Sequence, residues 1–319
     1  MNKTLAQRLL ARFNLISKVL SIHKLSGGRQ HEAFKIQLID GNGYVIKRLN
    51  FECYLGTYSN QHFDASEQYA DYVNQHLGGA LTAFSDNGQS VVVEQTVSYL
   101  IYPWCDGNTK HVLNARQAKR LGQYLRKMHA LPAISLPLKG IPFSPFKITL
   151  WSDLVNMGHI NQVKLNELIQ LAKQCEQSRL MYDGERLLSH QDINLDNILW
   201  RSETQPILID WESAGYISPY VDLLGLALNV GGIGAGNLDL SLVKVTIKAY
   251  LKNHKQKQKM TPSLYLQSYA TWFAWLDYCL SSTIIEAELQ QEEIKLTLIG
   301  IDLLAANKIK IFGYFNDAQ

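Results

Sequence analysis

The chain has 319 residues, 46% of them apolar and 18% charged, with a formal net charge of +3. That length fits two lobes or domains better than a single core, and so small a charge argues against a nucleic-acid binder, which usually carries a basic stripe. The four cysteines, Cys53, Cys105, Cys175 and Cys279, are too far apart for a C-x-x-C zinc pair, and a disulfide framework is not expected in a chain this large.

The N-terminal stretch, residues 1–20, is interrupted by Arg8 and Arg12 and reads as an amphipathic helix rather than a signal peptide. No run reaches the roughly 18 apolar residues that a membrane span needs; the expected location is the cytoplasm. Residues 19–25, 32–39 and 44–49 read as strands, the last two joined by a turn at Asp40-Gly41-Asn42-Gly43, a hairpin signal. Residues 62–77 carry a helical pattern that stops at Gly78-Gly79. Residues 90–97 and 98–104 read as two further strands. Beyond residue 108 the character changes. Residues 115–131 form a strongly amphipathic helix, and 151–178 and much of 237–319 also look helical. Between them, 186–200 and 206–215 read as a loop with two short strands. Lys255, Lys257 and Lys259 read as a solvated helix end or loop. The expected layout is a β-rich lobe over residues 1–103 and a larger, mainly helical lobe over 104–319.

The sharpest chemical signal is the segment HQDINLDN at 190–197, which sets His190, Asp192 and Asn197 in the pattern H-x-D-x-x-x-x-N. Asp210 follows the apolar run Pro206–Ile209. Phosphoryl transfer needs such a set: one carboxylate to orient the attacking hydroxyl and take its proton, and an amide oxygen with a second carboxylate to hold Mg²⁺ on the phosphates. Asp192 suits the first role, Asn197 and Asp210 the second. His190 suits a structural role, bracing the loop. Turn chemistry alone would also favour Asp and Asn here, but not an Asp at the end of an apolar strand. Lys47 lies inside the apolar strand 44–49, where a lone charge is expensive unless paired. Facing phosphates, it could be steadied by a helix carboxylate; Glu67 is the leading candidate, with Glu52 and Asp64 as alternatives. An outward-facing strand lysine is the other reading. Gly27 and Gly28, between two strands, could let the backbone approach phosphates or could form an ordinary turn.

Taken in order, LSGGRQHEAF, the strand Lys47, the helix with Glu67, YLIYPWCDG, LRKMHAL, LSHQDINLDNILW, ILIDWESAG and PYVDLLGLA resemble the aminoglycoside phosphotransferase and choline kinase superfamily over roughly residues 20–230. The resemblance implies an α+β, bilobal protein-kinase-like fold: a small antiparallel β-sheet lobe with one main helix, and a larger mainly helical lobe. It implies Asp192 as catalytic base, Mg²⁺ on Asn197 and Asp210, and ATP between the lobes, its adenine against the backbone near Tyr102 and Trp104. Asp222 matches a residue that supports the catalytic loop in relatives. Asp210-Trp211-Glu212 replaces the Asp-Phe-Gly of protein kinases and no Ala-Pro-Glu segment follows, which disfavours a protein substrate. Retention of Lys47, Asp192, Asn197 and Asp210 disfavours a regulatory pseudokinase.

The partner expected is therefore a small-molecule alcohol, with no nucleic acid and no membrane. Asp-Trp-Glu is similar to what choline, ethanolamine and thiamine kinases carry. Trp272 and Trp275, three residues apart, share a helix face, as do two tryptophans of choline kinases that cage a quaternary ammonium; Glu212 and Asp277 could add negative charge. Core packing would explain the same aromatic helix. An aminoglycoside would call for an acidic cleft, yet residues 220–319 hold nine acidic and nine basic side chains.

Overall fold

The computed structural model describes residues 1–26, 30–139, 145–252, 260–283 and 285–316. Helix α1 (Lys3–Ala11) starts at Asn2, whose side chain accepts the Leu5 N–H, and buries Ala6, Leu9 and Leu10. Strands β1 (Val19–Lys24), β2 (Glu32–Leu38) and β3 (Gly43–Arg48) follow. The β2–β3 hairpin turns at Asp40-Gly41, where Gly41 takes φ +89° and the Asn42 N–H donates to Asp40 Oδ1 at 2.9 Å. Alternation along β2 puts Phe34, Ile36 and Leu38 on one buried face. A two-residue ribbon, β4 (Glu52–Cys53) and β5 (Gly56–Thr57), precedes helix α2 (Asn60–Leu77), and β6 (Val92–Glu94) and β7 (Val97–Pro103) complete the lobe. Five of these strands form one antiparallel sheet in the order β1-β2-β3-β7-β6. Ile36, Ile46 and Ile101 pack under α1, each buried side chain stabilising by about 1.5–3 kcal/mol.

The larger lobe contains α3 (Ala115–His129), α4 (Ser152–Asn156), α5 (Gln162–Leu180), β8 (Leu187–Ser189), β9 (Ile198–Ser202), β10 (Gln205–Leu208), β11 (Gly215–Ile217), α6 (Pro219–Val230), α7 (Leu240–Leu251), α8 (Pro262–Gln267), α9 (Ala270–Ser281), α10 (Ala287–Ala306) and α11 (Lys308–Asn316). The molecule is therefore α+β and bilobal. Helix α3 opens with a reciprocal cap between Asn114 and Gln117 and lies so close to α7 that a Cβ on Gly122 would sit 2.4 Å from Thr246 O. Helix α6, apolar nearly all round, is central to the core, with Leu223, Leu224 and Ala227 buried. Among the described residues no helix is long and apolar enough to cross a membrane.

Helix α2 joins the lobes. Its Ala65, Tyr69, Ala70 and Val73 belong to the core of the larger lobe, and the Tyr69 hydroxyl donates to Leu188 O at 2.6 Å. After α2 stops at Gly78 (φ +66°), the chain pairs with the end of β10: Leu208 N–H donates to Gly79 O and Leu81 N–H to Leu208 O. The segment that follows α2 is thus paired with the end of β10 in the larger lobe.

Candidate active site

Strand β8 delivers Ser189 and His190 into the interior, both fully buried. His190 Nε2 donates to Ile209 O at 3.0 Å, and its Nδ1 accepts the Asp192 N–H, so its tautomer is fixed and the ring braces the loop. Burial lowers its pKa, the nearby Asp192 opposing. Asn194 caps the turn at 195–197, its Oδ1 accepting the Asp196 and Asn197 N–H groups. The Asn197 amide donates to Asp192 O at 3.0 Å and to Asp192 Oδ2 at 3.1 Å, while Asn194 Nδ2 holds Oδ1. Asp192 is thereby fixed by amides of its own loop, and burial raises its pKa against the pull of His190. Beneath the loop, Asp222 Oδ2 accepts from Ser189 Oγ and from His129 Nε2 at 2.9 Å, and His129 Nδ1 accepts from the Tyr250 hydroxyl.

The β9–β10 hairpin brings Asn197 beside Asp210. Ile198 pairs with Leu208, and the Ile209 N–H donates to Asn197 O at 3.0 Å. Asp210 and Gln191 both take left-handed backbone, φ +68° and +64°, at a cost of order 1–3 kcal/mol each for residues of this kind. Lys47 reaches across from β3 to bond both Asp210 Oδ1 and Glu212 Oε2. Burial works against its ammonium, but the two carboxylates outweigh burial and its pKa lies above the usual lysine value. Glu212 is buried and also accepts from His31 Nε2 at 2.9 Å; because His31 Nδ1 accepts the Asn50 N–H, the ring proton sits on Nε2. Against burial, His31 and Lys47 hold Glu212 well below the ordinary carboxylate range. Burial and the neighbouring Glu212 push Asp210 well above it.

The partner expected for Lys47 is corrected here. Glu67 is buried, but its Oε1 accepts from the Tyr102 hydroxyl at 2.6 Å and its Oε2 from the Ala83 N–H at 2.7 Å. Burial pushes its pKa up to about 7, and Lys47 is bound by Glu212 in its place. In the expected adenine segment, the Trp104 N–H donates to Gly43 O at 2.9 Å. Its ring carries the Lys35 ammonium 3.6 Å from the centroid. Gly27 and Gly28 lie outside the described residues.

The late aromatic helix divides. Trp272 packs against α10, with Gly300 directly under its ring, and is half-buried against the core. Asp277 is buried, with Oδ1 accepting from Trp151 Nε1 at 2.7 Å and Oδ2 from the Lys147 N–H at 2.8 Å. Its charge is committed to the fold and not available to a cation. Trp275 points elsewhere: it stacks on Tyr278 at 5.4 Å, meets Tyr54 edge-on at 5.5 Å, and donates its indole N–H to Glu293. Sequence reasoning overlooked His31, His62, Tyr54 and Tyr58. His62 Nε2 donates to Glu212 O at 2.6 Å, and Tyr58 stacks on His62 at 3.9 Å. No spacing marks His31, His62 or Tyr54, because each meets a partner from the larger lobe.

Two hard-oxygen ligand candidates, Asn197 and Asp210, are the donor set magnesium prefers when phosphates and water complete its shell. Among the described residues no group of three or more His, Cys, Asp or Glu could hold a metal unaided. Similar solved structures include spectinomycin phosphotransferase APH(9)-Ia in complex with ADP and spectinomycin, at 14% identity over 94% of this chain and 98% of that one, TM-score 0.68. A microcompartment-associated aminopropanol kinase matches at 13% over 98% and 99%, TM-score 0.67, and choline kinase LicA from Streptococcus pneumoniae at 15% over 95% and 99%, TM-score 0.61. No curated protein sequence matches. Residues 59–253 match the model of the phosphotransferase enzyme family APH, which spans more than half of the chain, and the protein belongs to that family.

Proposed function

We propose that the protein transfers the γ-phosphoryl group of ATP, with Mg²⁺, to the hydroxyl of a small alcohol that carries a positive charge, such as choline, ethanolamine or thiamine. The observation that carries the reading is the linked set Asp192, Asn197 and Asp210, joined by the Asn197 amide and the Asn197–Ile209 backbone bond, with Lys47 on Asp210. Residues 1–103 serve as the nucleotide lobe and 104–319 as the acceptor lobe. Asp192 orients the acceptor hydroxyl and takes its proton, its pKa raised toward that task by burial. Asn197 and Asp210 hold the metal, which neutralises charge on the phosphates when bound. Lys47, released from Asp210, holds the phosphates and stays anchored to Glu212. His190, His129 and Asp222 keep the loop in place.

For the acceptor, the support is Trp275 with Tyr54, Tyr278 and the Glu293 carboxylate around it. A desolvated cation over such a ring gains about 2 kcal/mol. Two of the similar structures are by name a choline kinase and an aminopropanol kinase; a spectinomycin phosphotransferase keeps an aminoglycoside as the alternative. Coupled ATP turnover across cationic alcohols, their neutral carbon isosteres, sugars and aminoglycosides tests the reading. Turnover of a cationic alcohol is expected, weak with its isostere. Silence of all cationic alcohols beside efficient turnover of a sugar or aminoglycoside would overturn it.

A further inference from the structure

The β4–β5 ribbon belongs to the small lobe, yet its tip lies against the larger one. Glu52 pairs with Thr57 and Cys53 with Gly56, leaving Tyr54 and Leu55 at the turn. The base of the ribbon is pinned from several sides. Asn50 Nδ2 donates to Glu52 O and its Oδ1 accepts the Glu52 N–H; the Tyr58 N–H donates to Phe51 O; Thr57 Oγ1 donates to Glu52 Oε2. Gln30 Oε1 accepts the Tyr54 N–H at 2.8 Å, and Cys53 and Leu55 are buried on either side. The tip is therefore a placed element, and what it places is the Tyr54 ring, edge-on to Trp275 of α9 at 5.5 Å and 82°.

The base of the ribbon also sits beside the phosphoryl-transfer groups: Cys53 Sγ lies 4.0 Å from His31 Nε2, which donates to Glu212. Burial pushes the Tyr54 hydroxyl far above its ordinary pKa, and the Asp192 charge adds to the shift. The ribbon thus lies between Trp275 and the Glu212 side of the site, and an acceptor with its hydroxyl on Asp192 and its charged end on Trp275 passes its tip.

We propose that Tyr54 is a specificity-determining residue of the acceptor site, a wall supplied by the small lobe that limits acceptor length and bulk and keeps water from the phosphoryl group. The inference rests on the reading above that Asp192 is the base and that the acceptor binds on the Trp275 side. It differs from a purely structural ribbon contact in what it demands of kinetics. A wall acts on the acceptor and on water, leaving nucleotide binding alone. Removing one in an apolar pocket costs on the order of 10- to 200-fold in discrimination, and admitting water permits hydrolysis without acceptor.

The experiment measures three quantities for wild type, Tyr54→Ala, Tyr54→Phe and Tyr54→Trp: the KM of acceptor and of ATP, the rate of ATP hydrolysis without acceptor, and the ranking of acceptors by size. The acceptor used is whichever compound of the panel above turns over, so an error about its charge leaves this test intact. Tyr54→Ala is expected to raise the acceptor KM about tenfold or more, to leave the KM for ATP within about twofold, to raise acceptor-free hydrolysis, and to admit bulkier alcohols. Tyr54→Phe should keep the size ranking. Tyr54→Trp should reject the larger acceptors first, which keeps the proposal testable if the alanine variant does not fold. Unchanged acceptor KM and hydrolysis in folded Tyr54→Ala, equal rises in both KM values, or a size ranking indifferent to Tyr54→Trp would overturn it.

Discussion

Two sets of carboxylates share this molecule and differ in who holds them. In the interior of the larger lobe, Asp277 is gripped by the Trp151 indole and the Lys147 amide, and Asp222 by Ser189 and His129. Their partners are rigid groups with nowhere else to go. Between the lobes, Asp210 and Glu212 share one lysine at the end of four rotatable bonds, and Asp192 is held by amides of its own loop. Donors set in the core of the larger lobe make a carboxylate part of the scaffold, whereas the loop amides on Asp192 belong to the site itself. A flexible cation that phosphate can compete for leaves the carboxylate open to a metal. Backbone strain divides the same way: the left-handed residues Gln191 and Asp210 flank the second set.

The comparison breaks first at Asp192. Asp192→Asn is expected to lower kcat by about a thousandfold or more, since orientation and proton acceptance fail together, while the melting temperature holds. Near-normal kcat in the folded variant would place Asp192 with the scaffold set. Lys47→Met comes next. It leaves Asp210 and Glu212 without their shared cation and the phosphates without a ligand, so ATP affinity should fall at least about tenfold, the scale of one or two charge-assisted bonds. Titration calorimetry with and without Mg²⁺ reads it; affinity matching the wild type would leave Lys47 as a purely structural ion pair. Asp277→Ala should do the reverse, losing about 3 kcal/mol of stability by leaving the buried Trp151 indole and the Lys147 amide unpaired, with kcat and both KM values of the folded fraction unchanged. A selective rise in acceptor KM, with stability intact, would return Asp277 to the acceptor site.

How much of this was legible in the sequence follows from the range of each interaction. Strands β2 and β3 are readable because alternation and an Asp-Gly turn are local. Asp192, Asn197 and Asp210 are readable because one loop and one hairpin bring them together. Lys47 could be seen to need a partner, but the partner stands 165 residues away, where spacing carries no information; the helix residue Glu67 was the natural expectation and Glu212 the outcome. The shared face of Trp272 and Trp275 was read correctly as helical geometry. It could not reveal that one ring lies on Gly300 while Tyr54 meets the other. A ribbon of two-residue strands leaves no periodicity, so the placement of Tyr54 had no signal at all.

Glu67 leaves activity alone and tests the partner exchange most directly. Its carboxyl is buried on the Tyr102 hydroxyl and the Ala83 amide, with a pKa of about 7 against an ordinary 4.5. The folded state thus binds the proton more tightly than the unfolded state. Glu67 contributes stability fully below about pH 4.5, and that contribution is lost as pH rises through about 7, a change on the order of 3 kcal/mol. Glu67→Gln keeps an oxygen for the Ala83 N–H and an amide for the Tyr102 oxygen but cannot ionise. Denaturant unfolding of both proteins from pH 5 to 8 should show the wild type losing stability relative to the variant, the gap levelling above about pH 7. Parallel curves would mean that Glu67 is already ionised at pH 5, as an ion pair with Lys47 would make it, and the division between the two carboxylate sets would have to be redrawn with Glu67 on the side of the lysine.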